Sequence, residues 1–289
     1  MKKLTPEVLF ECGAFQVSPL DKPFLYTSGL IGPFYVNTHF LCGGKESSEA
    51  ELAYLDKMSG VPAKIVSEFP GRLHAIIRSS SIYSNVLGEM VSVLRSKNLD
   101  LSSYIISGGQ RRDWFFSIPI AKELGLQHIY LFNDGLVLDE NGEEPKGLEG
   151  KKTIHLADLL TLGSSYTTKW IPALAKYGVG IELAYNCVDR LQGGEENLTS
   201  AGVKEVLSFF KIDKSFFSEA LELGIINEGQ HKLIYSFLAD NKGSMREFLL
   251  SKPEFISNVL SGSDEKAKKR VGLMLEQNLY DLPKEILGL

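Results

Sequence analysis

The chain has 289 residues, with 31 Lys and Arg against 36 Asp and Glu, a formal charge of −5. Hydrophobic residues make up 44% and charged residues 23%, ordinary globular usage that excludes a disordered or collagen-like chain. The acidic balance argues against a dedicated nucleic-acid binder, which needs a basic face for phosphates.

In chain order, Thr5 to Gly13 places Val8, Leu9 and Cys12 at helical spacing. Glu7 and Glu11 fall where a secretory leader needs its apolar stretch, and no segment approaches the ~18–20 apolar residues of a membrane span. Phe15 to Phe40 is aromatic-rich and punctuated by Pro19, Pro23, Gly29, Gly32 and Pro33, which predicts short strands and loops. Ser47 to Met58 reads as a helix capped by Ser47 or Ser48. Ile82 to Lys97 is amphipathic and helical. Tyr104 to Gly109 reads as a buried strand breaking into a glycine turn, with a helix from Trp114 to Leu124 behind it. His128 to Phe132 is strand-like, and 133–150 is polar and glycine-rich, a loop length that signals function or mobility. Strand Thr153 to Leu156, helix Ser164 to Tyr177, strands Gly180 to Val188 and Val206 to Phe210, and helix Asp213 to Leu223 follow. This alternation predicts an α/β fold, a parallel sheet with helices on both faces and ligands at the strand C-termini. After Gly224 only helical patterns remain: Gln230 to Leu238, Met245 to Leu250, Phe255 to Leu260 and Asp264 to Gln277. The expected division is therefore 1–224 and a helical extension, 225–289.

Cys12, Cys42 and Cys187 are too few and too scattered for a disulfide framework or a zinc site, which fits a reducing compartment. No metal-ligand spacing, Walker motif or Ser–His–Asp arrangement stands out. A soluble cytoplasmic protein is expected, with no membrane or nucleic-acid partner.

The stretch from Thr153 to Ser165 is the most informative. An apolar strand ends in Asp158, Thr161-Leu162-Gly163-Ser164-Ser165 follows, and a helix starts. Main-chain N–H groups and small hydroxylic residues at such a turn suit a phosphate, and the acid suits ribose hydroxyls. The plain alternative is an ordinary strand-to-helix turn with Asp158 as a capping acid. Likewise Arg111 and Arg112, just after the glycine turn, either clamp a diphosphate or pair with Asp113 and the acidic run 139–144, or stack on Trp114.

This stretch resembles the phosphoribosyl-diphosphate (PRPP) signature of type I phosphoribosyltransferases. Further blocks resemble orotate phosphoribosyltransferases in the same order: Phe24 to Gly29 with Gly32 to Asn37, Gly108-Gly109 with Ile118 to Ala121, and Val188-Asp189-Arg190 with Gly193 to Val203. The resemblance covers about residues 10 to 224. It implies a twisted parallel sheet with a small N-terminal hood. It also implies transfer of ribose 5-phosphate from PRPP to a pyrimidine base, orotate, with Mg²⁺, in a homodimer. Asp158 would contact the ribose, Thr161, Leu162, Gly163, Ser164 and Ser165 the 5-phosphate, and Thr161 and Arg190 the base. Phe34 and Tyr35 either border the base pocket or pack in the core. Three departures stand out. Ala157 replaces the first acid of the signature, Thr27 replaces a lysine, and an acidic run occupies the place of the family's basic loop. These departures raise the alternative of a catalytically degenerate PRPP- or nucleotide-binding protein.

Overall fold

A computed structural model describes residues 5–283. The chain opens with helix α1 (Glu7–Glu11) and four short strands, β1 (Phe15–Val17), β2 (Phe24–Leu25), β3 (Ile31–Gly32) and β4 (Phe34–Val36). Helices α2 (Gly44–Lys57), α3 (Pro62–Ser79) and α4 (Ser81–Ser96) lead to β5 (Tyr104–Gly109), α5 (Trp114–Leu124), β6 (His128–Leu131), β7 (Val137–Leu138) and β8 (Lys152–Leu160). A π turn (Tyr166–Trp170) runs into α6 (Ile171–Ala175), followed by β9 (Ile181–Asp189), α7 (Gly194–Ser200), β10 (Glu205–Lys211) and α8 (Lys214–Glu222). The tail holds α9 (Glu228–Ala239), α10 (Asn241–Ser251), α11 (Glu254–Ser261) and α12 (Glu265–Glu276).

Two compact units result. Among the described residues, the first joins 5–14 to Asn37–Asp213, and the second joins Phe15–Val36 to 214–283. This differs from the linear boundary expected at residue 224. The N-terminal ribbons belong with the helical tail. The reason is packing: strands of two or three residues cannot stand alone in water. Phe15 and Phe34 of the ribbons stack at 5.3 Å and bury themselves against Phe216, Phe217 and Phe237. Polar ties add to this, since Gln230 Nε2 donates to Ser18 O (3.0 Å), Arg270 Nη1 to Leu25 O (2.8 Å), and Ile31 N to Tyr280 Oη (2.9 Å).

In the first unit the six-stranded sheet has the order β10-β9-β8-β5-β6-β7, parallel throughout except for β6–β7. Side chains alternate across it. Ile105, Ile129, Leu131 and Ala157 join Tyr166, Trp170 and Leu174 in one buried cluster. Gly108 lies against Ser117 and Trp114 of α5, whereas Gly109 lies against Trp170. A Cβ would collide with Ser117 at Gly108 and with Trp170 at Gly109, so the glycines let α5 and the π turn approach closely.

Pro119 sits inside α5 and leaves the Phe115 carbonyl without its helical donor. The buried Tyr83 hydroxyl donates to that carbonyl. α2 starts earlier than expected because Gly43, at φ +84°, makes the turn in. α3 is absent from the sequence expectation. Pro70 and Gly71 stand mid-helix and mask its apolar stripe of Ile65, Phe69, Leu73 and Ile76. The segment 133–150 is not a long open loop, since β6 and β7 make a hairpin and the acidic run folds on itself. Asp139 Oδ1 accepts Asn141 N (2.8 Å) and Glu143 N (3.0 Å), Glu140 accepts His128 N (3.2 Å), and Glu144 accepts the Tyr177 hydroxyl (3.2 Å). Among the described residues no helix is long and apolar enough to cross a membrane.

Candidate functional site

β5 connects to one side of the sheet through α5 and β6, and β8 to the other through α6 and β9. The topological switch point therefore lies between β5 and β8, where ligands bind in open α/β sheets. A cavity of about 740 Å³ opens there. Its lining includes Gln110 to Asp113, Ala157 to Leu159, Thr161 to Tyr166, His39, Glu49, Asn133 and Trp170, all from the first unit.

The structure thus brings together Asp158, Arg111, Arg112, Thr161, Leu162, Gly163, Ser164 and Ser165. β8 runs four residues beyond its expected end, so Asp158 lies within the strand. Asp158 is buried, and its carboxylate accepts the Thr38 hydroxyl (2.7 Å), with Arg112 Nε 3.2 Å from the same oxygen. Arg111 turns away to pair with Asp56 of α2. Neither arginine takes the alternative of pairing with the acidic run.

The 161–165 loop is shaped from below by α7. Gly163 has φ +72°, and a Cβ on it would strike Leu198. Asn197 Nδ2 donates to Leu162 O (3.0 Å), and Gly194 packs under Leu160 and the Thr161 carbonyl. The Gly193-to-Val203 block is therefore the scaffold of this loop.

Arg190 N donates to Leu160 O (3.0 Å) at the end of β9, but Arg190 is not among the residues lining the cavity. Phe34, 5% exposed, is a core residue of the second unit, and half-buried Tyr35 packs on Phe24 and Tyr26.

No established family profile matches the chain. The orotate phosphoribosyltransferase of Sulfolobus acidocaldarius is 26% identical over 178 residues, 62% of this chain and 87% of that one. The chain has the type I phosphoribosyltransferase fold and is similar to orotate phosphoribosyltransferases. Leishmania donovani UMP synthase superposes with a TM-score of 0.55 at 17% identity, over 81% of this chain. The chain spans 41% of that protein's length. The orotate phosphoribosyltransferase of Francisella tularensis gives 0.53 at 13% identity, over 80% of this chain and 95% of its own.

Several residues of this site carry no signal in the sequence. His39 and Thr38 follow a glycine- and proline-rich stretch and carry no spacing signal. His39 is pushed down to about 4 by burial and by the charge of Arg112, so it stays neutral, and its Nδ1 has no hydrogen-bond partner among the described residues. Asp113 passes in the sequence as an arginine partner, yet its carboxylate reaches the end of β5 and the interior of β8. Ser107, His155 and Asp113 also fall in line: Ser107 Oγ lies 2.9 Å from His155 Nδ1, and His155 Nε2 lies 3.9 Å from Asp113 Oδ2. This is no nucleophilic triad, because Ser107 is wholly buried and 3.9 Å is too long for a hydrogen bond.

Proposed function

We propose that this cavity binds PRPP and that the chain transfers its ribose 5-phosphate to orotate, giving a nucleoside monophosphate and pyrophosphate. One observation carries this reading: Asp158, the 161–165 loop and the Arg111–Arg112 pair line a single cavity at the switch point. The main-chain N–H groups of the loop and the hydroxyls of Ser164 and Ser165 suit the 5-phosphate. Asp158 accepts from the ribose hydroxyls, which displace Thr38 and Arg112 from its carboxylate. Arg112, joined by Arg111 once it leaves Asp56, then faces the diphosphate, where negative charge gathers as the glycosidic bond breaks. No protein nucleophile is needed, and catalysis rests on positioning and charge.

Among the described residues no three carboxylate, histidine or cysteine side chains form a metal cage. The site fits Mg²⁺ in the manner usual for that ion, with one or two carboxylates plus phosphate oxygens of the ligand. Asp158 would hold it. When bound, Mg²⁺ supplies positive charge to the leaving diphosphate. The reading also carries a homodimer and a cytoplasmic location, open to sedimentation and cell fractionation.

The test is PRPP-dependent turnover with orotate, uracil and purine bases. Pyrophosphate release with orotate supports the proposal, and no nucleotide from any base overturns it. A second reading, a PRPP or nucleotide sensor, is favoured by Ala157, buried against the Trp170 cluster where an acid would stand, and by the absence of Lys and Arg from 128–138. Calorimetric PRPP binding without turnover supports that reading.

A further inference from the structure

The sheet forks at its switch point. β5 and β8 are paired from Tyr104 and Lys152 as far as Ser107 and His155, and the ladder ends there. Beyond it β5 stays with β6 through Gly109, while β8 stays with β9 through Leu160. Main-chain donors facing the fork need partners. Two of them find the same carboxylate. Gly109 N donates to Asp113 Oδ2 (3.1 Å), and Asp158 N donates to Asp113 Oδ1 (3.0 Å).

Asp113 precedes α5, but its side chain makes no hydrogen bond to the turn it caps. It bridges the fork instead. The preceding residue, Arg112, reaches back to the Asp158 carboxylate (3.2 Å). Residues 112–113 and 158 therefore form a closed, reciprocal link in which each segment offers a carboxylate and receives a donor. His155 stands behind Asp113, held by Ser107, and Gly109 leaves room for the carboxylate where a Cβ would collide with it.

We propose that Asp113 is a positioning residue that ties Asp158 to the turn bearing Arg111 and Arg112, fixing the spacing between the ribose-binding acid and the cations for the diphosphate. The inference rests on the PRPP reading given above. When the ribose takes the Asp158 carboxylate from Arg112, the two Asp113 bonds remain, so the spacing between the two segments is preset. Asparagine at 113 has nearly the same shape but presents one acceptor atom to two N–H donors, so one donor is left unpaired.

The test compares the full-length wild type with Asp113→Asn, Asp158→Asn and the double variant, titrating PRPP and, separately, inorganic phosphate. Asp113→Asn is expected to weaken PRPP about tenfold, or ~1.4 kcal/mol, while phosphate binding changes less than twofold. In the Asp158→Asn background it should add little. Unchanged PRPP affinity overturns the proposal, and so does an equal loss for both ligands, which marks general disruption. If the wild type binds no PRPP, the functional reading fails. Hydrogen exchange on the wild type then decides the link by itself, as it does if the variant fails to fold. Slow, concerted exchange of the Gly109 and Asp158 amides supports it, and rapid exchange of either overturns it.

Discussion

Arg112 Nε lies 3.2 Å from Asp158 Oδ2, joining a turn after β5 to the middle of β8. The arginine side chain is 39% exposed and the aspartate 8%, so the pair stands at a cavity wall with one partner facing solvent. Half-exposed pairs of this kind add about 0–1 kcal/mol to stability, whereas a cation facing a leaving diphosphate is worth far more. Arg112→Met should therefore lower kcat/KM with PRPP about 100-fold and leave the thermal midpoint nearly unchanged. Pyrophosphate release and a melting curve check both.

Gly163 combines a left-handed backbone with close approach by Leu198. Gly163→Ala is expected to cost about 1–3 kcal/mol of stability and to weaken inorganic phosphate binding at least fivefold. Urea unfolding and calorimetry report these separately.

The acidic run 139–144 is used within its own turn, and none of its residues lines the cavity. Neutralising Glu143 by Glu143→Gln should leave turnover within twofold. A large gain in rate would show that the run repels the diphosphate after all.

Phe34 serves the core of the second unit. Phe34→Ala is expected to remove about 3–5 kcal/mol of stability. A variant of wild-type stability that had lost only base affinity would count against that assignment.

His128 and His155 are wholly buried, and burial pushes both down to about 3. The unfolded chain titrates near 6.5 and so takes up protons that the folded chain refuses. The histidines' contribution to stability is intact above pH 6.5 and is lost progressively as pH drops from there towards 3. Asp113 and Asp189, held up by burial, act in the opposite sense above the ordinary carboxylate range. Going from pH 7 to pH 5, the urea midpoint of His128→Gln should fall less, or rise more, than that of the wild type, because the opposing acids are common to both chains.

Local signals settled much of this protein. Trp114 to Leu124 is recovered residue for residue, with its stop at Gly125, and the Tyr104 strand is recovered too, although Gly108 and Gly109, expected as a turn, continue it. Asp158 and the 161–165 loop are contiguous, so their shared chemistry is legible in one stretch of sequence. Arg112 and Asp158 are 46 positions apart and Asp113 meets two strands, so their union depends on where the β5–β8 ladder ends. That end is set by strand pairing, which no single segment specifies. The fate of Phe15 to Val36 was likewise decided by distance along the chain. Its two- and three-residue ribbons hold no core of their own, and only burial against helices nearly 200 residues later gives Phe15 and Phe34 a dry partner.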